Sequence, residues 1–576
     1  MMRFLLAVLM LLFAAPAAAQ TDQAARGLAL QASAKITNLN TVNVVDYRRF
    51  FDSDWTPAFT RALATGKNVI MPELVGGYTI TDKITIVGAG QRIIGAGPYK
   101  SYFHVTTAFN MSATSVVSIN TARDSAAGLE NVGIAFDQPV FTARSNAIQY
   151  PWAIAFTGQS RVYFGGIVRI TGAWNGINAA GDSGGISADE LQIGALNTGM
   201  AIDGAADFIT IRHLGCWPYG FSDGNRLQAW GDGSTTCFTG GRIDGLSIHS
   251  LTTFQGRVAF AAGTDSNVTF GSIDSLSLDG NWARLDASAG YVAIGTWYKS
   301  SSAAGDYAMN LTGGQWRLGQ YRAFYGTAQT QPGVLVAGAA VTIASGFTDS
   351  GSTSAPAFRI TSGNLTLDQP VFNYGTNTAR TAPFVDVAGG TITLLNPRFQ
   401  AMGSGSGNGI VVAANNVNSI TANQMNGWGV ALPTAISNGS YAFDTVFTAT
   451  PSVSFSTPGD SAFTYTTALT QYRIQGKLIF FRTALAFNTN AFTTAATGSF
   501  QISTGIPFAP TFPAAPTLPD ISNITFSGYL APYLPTSNLA VIRNTASGAA
   551  EGNLGTANIK ASSTGVVTNL NGTYAF

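Results

Sequence analysis

The chain has 576 residues, of which only 10% are charged, with a formal net charge of +1 and 65 glycines. That length is too great for one compact core and suits two or three domains, or one elongated solenoid with appendages. The near-neutral balance offers no electrostatic footprint for nucleic acid, and the scarcity of charge excludes a charged coiled coil. Small and β-branched residues with abundant Gly favour stacked strands joined by tight turns.

Residues 1–19 carry Arg3, an apolar run over 4–13 and then Ala14-Ala15-Pro16-Ala17-Ala18-Ala19. This pattern predicts a secretory signal cleaved before Gln20, and it is too short for a convincing membrane span. Retention as an apolar plug that anchors the chain in a larger assembly is the alternative. Residues 20–100 read as a cap and first coils. Asn43-Val44-Val45-Asp46-Tyr47 suggests a strand, and 54–63 a helix with Asp54 as N-cap, Pro57 in its first turn and Trp55, Phe59, Ala62 and Leu63 at helical spacing. Short apolar strands follow at 68–72, 77–80, 84–86 and 93–97. This order resembles the opening of the pectate-lyase-like right-handed parallel β-helices, in which a helix plugs the first coil. It departs from them at 46–52, where an acidic, Gly-rich run is usual.

Residues 101–428 carry an internal repeat. Ile134-Ala135-Phe136-Asp137-Gln138-Pro139-Val140-Phe141 is echoed by Leu365-Thr366-Leu367-Asp368-Gln369-Pro370-Val371-Phe372. The second copy recurs 27 residues later, aligning Ile360, Leu365, Leu367, Pro370 and Phe372 with Val387, Ile392, Leu394, Pro397 and Phe399. Paired apolar residues around one small or polar residue, once per coil, are what a parallel β-helix needs, because alternate side chains enter a shared core. Similar steps at 191–193, 209–211, 246–248 and 276–278 are unevenly spaced, so loops must bulge from the coils. The two cysteines, Cys216 and Cys237, lie 21 residues apart, about one coil. Export would permit a disulfide between neighbouring coils, but two buried free thiols are the favoured expectation, since stacked side chains often miss bridging geometry.

Residues 429–576 change character. Alternating strands at 452–455, 462–465, 478–481 and 499–502, with turns at Pro458-Gly459 and Gln475-Gly476, predict an antiparallel β-sandwich. The runs at 457–460, 471–479 and 497–508 and the closing Asn571-Gly572-Thr573-Tyr574 resemble C-terminal domains of phage tail spikes and tail fibres, where such a domain commonly trimerises the chain or binds glycan. The stretch 191–220 resembles a coil series of tail-spike β-helices. Together these resemblances imply an all-β fold: a right-handed parallel β-helix with an N-terminal capping helix and a C-terminal antiparallel β-sandwich. They also imply a homotrimer attached to a virion tail, with bacterial surface polysaccharide as its partner. A secreted polysaccharide lyase or glycoside hydrolase and a non-enzymatic adhesin are the alternatives.

Twelve of the 29 carboxylates fall within 182–286, a stretch that also holds Trp217, Trp230 and Trp282, with Trp297 just beyond. Carboxylates for acid and base work, indoles for stacking on sugar faces and guanidinium groups for sugar carboxylates are the parts of a polysaccharide cleft. The expected groove therefore uses those four tryptophans with Arg212 and Arg242. Hydrolysis needs two carboxyl groups about 5–5.5 Å apart for retention or about 6.5–9.5 Å for inversion, and coils about 4.8 Å apart supply such spacings. Asp203, Asp207, Asp223, Asp232 and Asp244 are the candidate catalytic acids, and hydrolysis is favoured over elimination. For a lyase, His213 beside Arg212 or His249 near Arg242 would serve, although each His reads more simply as a surface residue. Asp182, Asp203, Asp223, Asp244, Asp265 and Asp286 recur at steps of 21, 20, 21, 21 and 21 residues, best explained by the preference of Asp for the turn of each coil. No zinc, nucleotide or acyl-transfer motif is present in the sequence, so no metal or cofactor is expected.

Overall fold

The computed structural model describes residues 40–576 except 122–125, 157–160, 182–183, 222–229, 231, 301–306, 326–329, 351–354, 374–382, 396–397, 401–409, 413–416, 423–429, 432–439, 444–446, 458–462, 477, 490–496, 507–516, 523–528, 534–538, 546–551, 554–565 and 576. The signal-like segment lies outside the described residues. The chain divides into two compact units, Met1–Thr252 with Gly263–Asn267, and Thr253–Ala262 with Val268–Phe576.

In the first unit the apolar steps of the sequence become stacked rows of a parallel β-helix. Val69, Ile93, Leu129, Phe164, Ala188 and Ile211 are register partners on successive coils, and all are buried. A second inward row runs Tyr78, Phe103, Ile134, Ile170, Ile193, Cys216, and a third runs Ile84, Val117, Ile154, Ile177, Met200, Phe238. Each large apolar side chain so withdrawn contributes about 1.5–3 kcal/mol, and the strand hydrogen bonds satisfy the backbone beside it.

The helix spans Thr56–Leu63 and buries Ala58, Phe59, Ala62 and Leu63. It plugs the stack through Phe59, whose ring centroid lies 5.6 Å from that of Tyr78 and 4.9 Å from that of Phe103. Asp54 caps it from one residue further out than expected, accepting the Thr56 N–H at 2.6 Å, while Trp55 holds the N-cap position. The strand expected at 43–47 ends at Asn43, and Val44–Tyr47 is a 3-10 turn. Asn43 causes the break, because its side chain accepts the Val45 N–H at 3.0 Å in place of a ladder bond.

Cys216 and Cys237 form a disulfide, which overturns the expected pair of free thiols. The 21-residue spacing misled because it is not a step between coils. Cys216 ends the strand Ala205–Cys216 and Cys237 lies in Thr236–Gly240, and both strands stack on the one preceding strand, Ile186–Asp203. The bridge therefore ties a bulge of one coil rather than two neighbouring coils.

The second unit repeats the logic with another stack. Ile273, Ile294, Leu318, Ile343, Leu367, Leu394 and Ala422 are successive register partners. Parallel pairing persists to Ala422 against Phe443, where antiparallel pairing takes over with Tyr441 against Gly476. The hairpin of Phe463–Gly476 and Leu478–Thr489 then pairs with Val566–Ala575, and a separate sheet joins Ser452–Thr457, Thr497–Ser503, Leu539–Thr545 and Tyr529–Tyr533. The expected turn at Pro458-Gly459 lies outside the described residues.

One corner of this stack requires glycine. Gly363 and Gly390 have φ of 83° and 78°, and a Cβ on Gly363 would meet the Ala339 carbonyl oxygen at 2.3 Å. Gly66 has a similar φ of +74° but open space around it. Gly66→Ala should therefore cost about 1 kcal/mol from backbone strain alone, and Gly363→Ala well above that because coil contact is added. Thermal unfolding of both variants checks this, and equal losses would mean that the close stacking carries no weight.

Candidate functional site

Inward rows fix which residues face outward. Beside the second row of the first unit, the outward positions are Tyr102, Gly133, Arg169, Gln192 and Gly215, register partners on five successive coils. Gly133 lets Pro98 and Tyr102 pack closely against this row, since a Cβ would come within 2.3 Å of the Pro98 carbonyl oxygen and 2.8 Å of the Tyr102 Cβ. Along the row lies a cleft of about 300 Å³ lined by Tyr99, Tyr102, Gly133, Arg169, Thr171 and Gly220, among others.

Arg169 sits at its centre. The guanidinium carbon lies 4.4 Å from the ring centroid of Tyr99 and 4.3 Å from that of Tyr219, so two aromatic faces hold it flat. Its Nη1 donates to the Tyr99 hydroxyl and, at 3.0 Å, to Gln192 Oε1. Gln192 in turn donates from Nε2 to Glu190 Oε1 at 2.7 Å. Burial lowers the pKa of Arg169, opposed by Tyr219, and burial raises that of Tyr219, with Glu190 adding to the rise against Arg169. Glu190 and His213 are register partners on adjacent coils, and Trp217, 36% exposed, follows directly on the end of the strand that carries Gly215. On the first coil of this face His104 Nε2 meets Asp137 Oδ1 at 2.9 Å. Aromatic faces, a fixed guanidinium, a carboxylate and an imidazole thus share one surface.

A second cleft of about 300 Å³ in this unit is lined by Arg161, Tyr163, Ser187, Asp207, Phe208 and Thr210, among others. Asp207 Oδ2 accepts from Arg161 Nε at 3.1 Å and Nη2 at 2.5 Å, and Phe208 stands 72% exposed beside them.

The acids expected to be catalytic are mostly held in structural bonds. Asp203 accepts the backbone N–H of Arg242 at 2.9 Å and of Thr264 at 3.1 Å, so it organises turns. Asp244 and Arg242 pair through two hydrogen bonds, at 2.9 and 3.0 Å, and Arg242 reaches Asp265 at 2.8 Å, which holds the guanidinium more firmly protonated. Asp232 takes Arg144 Nε at 3.0 Å and Nη2 at 2.8 Å. Asp223 lies outside the described residues. Of the expected stacking residues Trp217 is 36% exposed and follows the strand that carries Gly215. Trp230, 1% exposed, packs on Phe221 at 5.7 Å, and in the second unit Trp297, fully buried, stacks on Tyr321 at 4.6 Å; neither presents a face to a sugar, which corrects that expectation. Trp282 is half-buried and its backbone N–H donates to Gln255 Oε1 at 2.8 Å. Arg212 is exposed at the corner before His213. Among the described residues no cluster of three His, Cys, Asp or Glu is placed to hold a metal ion.

Tyr99, Tyr102, Arg169, Glu190, Gln192 and Tyr219 were not singled out from sequence. The alternation Ile167-Val168-Arg169-Ile170 marks Arg169 as outward-facing, but its tyrosine partners are 70 and 50 residues away in sequence, and only the register joins them.

No protein family and no curated protein matches the chain. Several solved structures align with it. Among them are the Dettilon tailspike protein, at 11% identity and TM-score 0.37 over 93% of this chain and 94% of that one; a tailspike of an Acinetobacter phage, at 11% and 0.33 over 80% and 81%; and a protein of Geobacillus virus E2, at 12% and 0.22 over 94% and 78%. The strand pairing within each unit itself defines the class, a parallel β-helix protein with antiparallel sheets toward its C-terminus.

The bonding of Asp232 gives a test. Burial raises its pKa, but Arg144 and the Ser234 N–H outweigh this and the net direction is below 3.8. A depressed folded pKa contributes stability above the unfolded value and loses it as pH falls through the folded one. Asp232→Asn should therefore lower the melting temperature at neutral pH, with the gap to the parent closing below about pH 4. A variant that melts like the parent at neutral pH would remove the structural role.

Proposed function

We propose that this chain is a tail-spike-type protein that binds and depolymerises bacterial surface polysaccharide through the outward face of its first unit. The observation that carries this is the Arg169 cleft, where tyrosine faces for sugar rings lie beside a fixed hydrogen-bonding array and the Glu190–His213 neighbours. Glu190 is the proton-transfer group in this reading, since its carboxylate accepts from Gln192, the neighbour of Arg169, and it has an imidazole-bearing register partner. Homotrimeric assembly and attachment to a virion tail rest on the sequence resemblance of 457–508 and 571–574 to tail-spike C-terminal domains. A spike that binds without cleaving is the second reading, favoured by the ion pairs that occupy Asp207, Asp232 and Asp244.

Incubation with bacterial surface polysaccharides should release shorter oligosaccharides, and a rise in ultraviolet absorbance from a new double bond separates elimination from hydrolysis. Glu190→Gln should reduce turnover about a hundredfold while binding persists. Trp217→Ala should weaken binding by about 1–2 kcal/mol. Binding without product in the parent would establish the second reading, and turnover unchanged in Glu190→Gln would remove Glu190 from the chemistry. Removing the residues after Phe443 should leave a folded β-helix that sediments as a smaller species than the full chain; an unchanged oligomer would remove the assembly role of the C-terminal sheets.

A further inference from the structure

We infer that the Arg169 cleft is a carboxylate-reading subsite, so that the glycan bound on this face is acidic and carries a uronate-type sugar at that position. The inference rests on the polysaccharide-binding reading and deepens it. Its ground is a guanidinium in the wrong company. Most arginines near carboxylates in the first unit are neutralised: Arg92 has Glu130, Arg144 has Asp232, Arg161 has Asp207 and Arg242 has Asp244 and Asp265. Arg169 is half-buried, with its guanidinium over two tyrosine rings, yet among the described residues no carboxylate is within ion-pair distance of it. Its protein partners are a hydroxyl and an amide oxygen, both on Nη1. A charge taken from water without a counter-charge is unfavourable unless a ligand completes it.

The geometry selects the kind of anion. With Nη1 engaged, Nε and Nη2 form the edge of a planar fork that matches the two oxygens of a carboxylate. The cleft of about 300 Å³ beside Arg169, bordered by Tyr102, gives room for a ring next to the fork. Glu190 is held back from Arg169 by Gln192, which takes Arg169 Nη1 on its oxygen and gives its Nε2 to Glu190. The glutamine thereby separates the two charges and leaves the guanidinium for an incoming carboxylate. The second cleft lacks this property, because Asp207 already neutralises Arg161.

The test uses the full chain and matched probes: oligosaccharides bearing glucuronate, galacturonate or sialate, each beside its carboxyl-reduced form. The native acidic form of the bound glycan should bind at least about tenfold more tightly than its reduced form, and the preference should weaken as salt is raised. Arg169→Gln should bring the acidic form down to the affinity of the reduced one. Arg169→Lys, which keeps the charge but loses the fork, should recover only part of the preference, and it serves as the readable variant if the glutamine form does not fold. Equal binding of both forms by the parent overturns this inference while leaving the polysaccharide reading intact. Binding of neither form overturns both. Displacement of the acidic glycan by inorganic phosphate or sulfate but not by acetate would overturn the carboxylate assignment in favour of a phosphorylated or sulfated sugar.

Discussion

Parallel stacking in register is the constraint on which everything else here depends. Each coil must place an apolar side chain directly over the one before it, and the backbone ladder permits no local adjustment without a bulge. Once Val69, Ile93, Leu129 and Phe164 are committed inward, every alternate residue is committed outward. The functional face is thus a by-product of the core: Tyr102, Gly133, Arg169 and Gln192 form a line because Phe103, Ile134, Ile170 and Ile193 do. A rigid row gives such a site its precision without a specialised loop, while Tyr99 and Tyr219 enter from turns to clamp what the row presents.

The same constraint explains what was legible in the sequence. The 27-residue offset between Ile360, Leu365, Leu367 and Phe372 and Val387, Ile392, Leu394 and Phe399 is the true register of those coils. Periodicity there reports stacking directly, because the same offset holds at all three strands of the coil. The cysteine spacing failed for the opposite reason, since both cysteine strands pair with the same preceding strand and a near-coil separation in sequence became a bridge within one coil. The aspartate series at near-coil steps was partly legible. Asp265 does accept a nearby backbone N–H, from Asn267, as the preference of Asp suggests, whereas Asp203 ends a strand and accepts from the distant Arg242 and Thr264, and Asp244 and Asp286 lie in strands and pair with Arg242 and Arg284.

The candidate site was less legible because composition counts charges without their partners. An acid-rich stretch suggested catalytic carboxylates, yet in a chain with so little charge its arginines are matched by acids from distant segments, as Arg144 is by Asp232 across 88 residues. Tryptophans misled in a similar way. An indole is as useful for filling the wide interior of a coil as for stacking on a sugar, and Trp230 and Trp297 serve the interior. The tyrosines do the outward work, which their hydroxyls permit at a wet surface.

Charge matching and register together give a rule for this fold that is stronger than either alone. An outward arginine that finds a carboxylate on its own or a neighbouring coil stiffens the surface and has little left to offer a ligand, as with Arg161 and Asp207. One that is instead sandwiched by aromatic rings and hydrogen-bonded only to neutral oxygens retains both its charge and its directional donors. Because the row is fixed by the core and the rings hold the guanidinium, part of its desolvation is already in place before a ligand arrives. Preorganisation of that kind is what distinguishes a recognition surface from the solvated remainder of a solenoid.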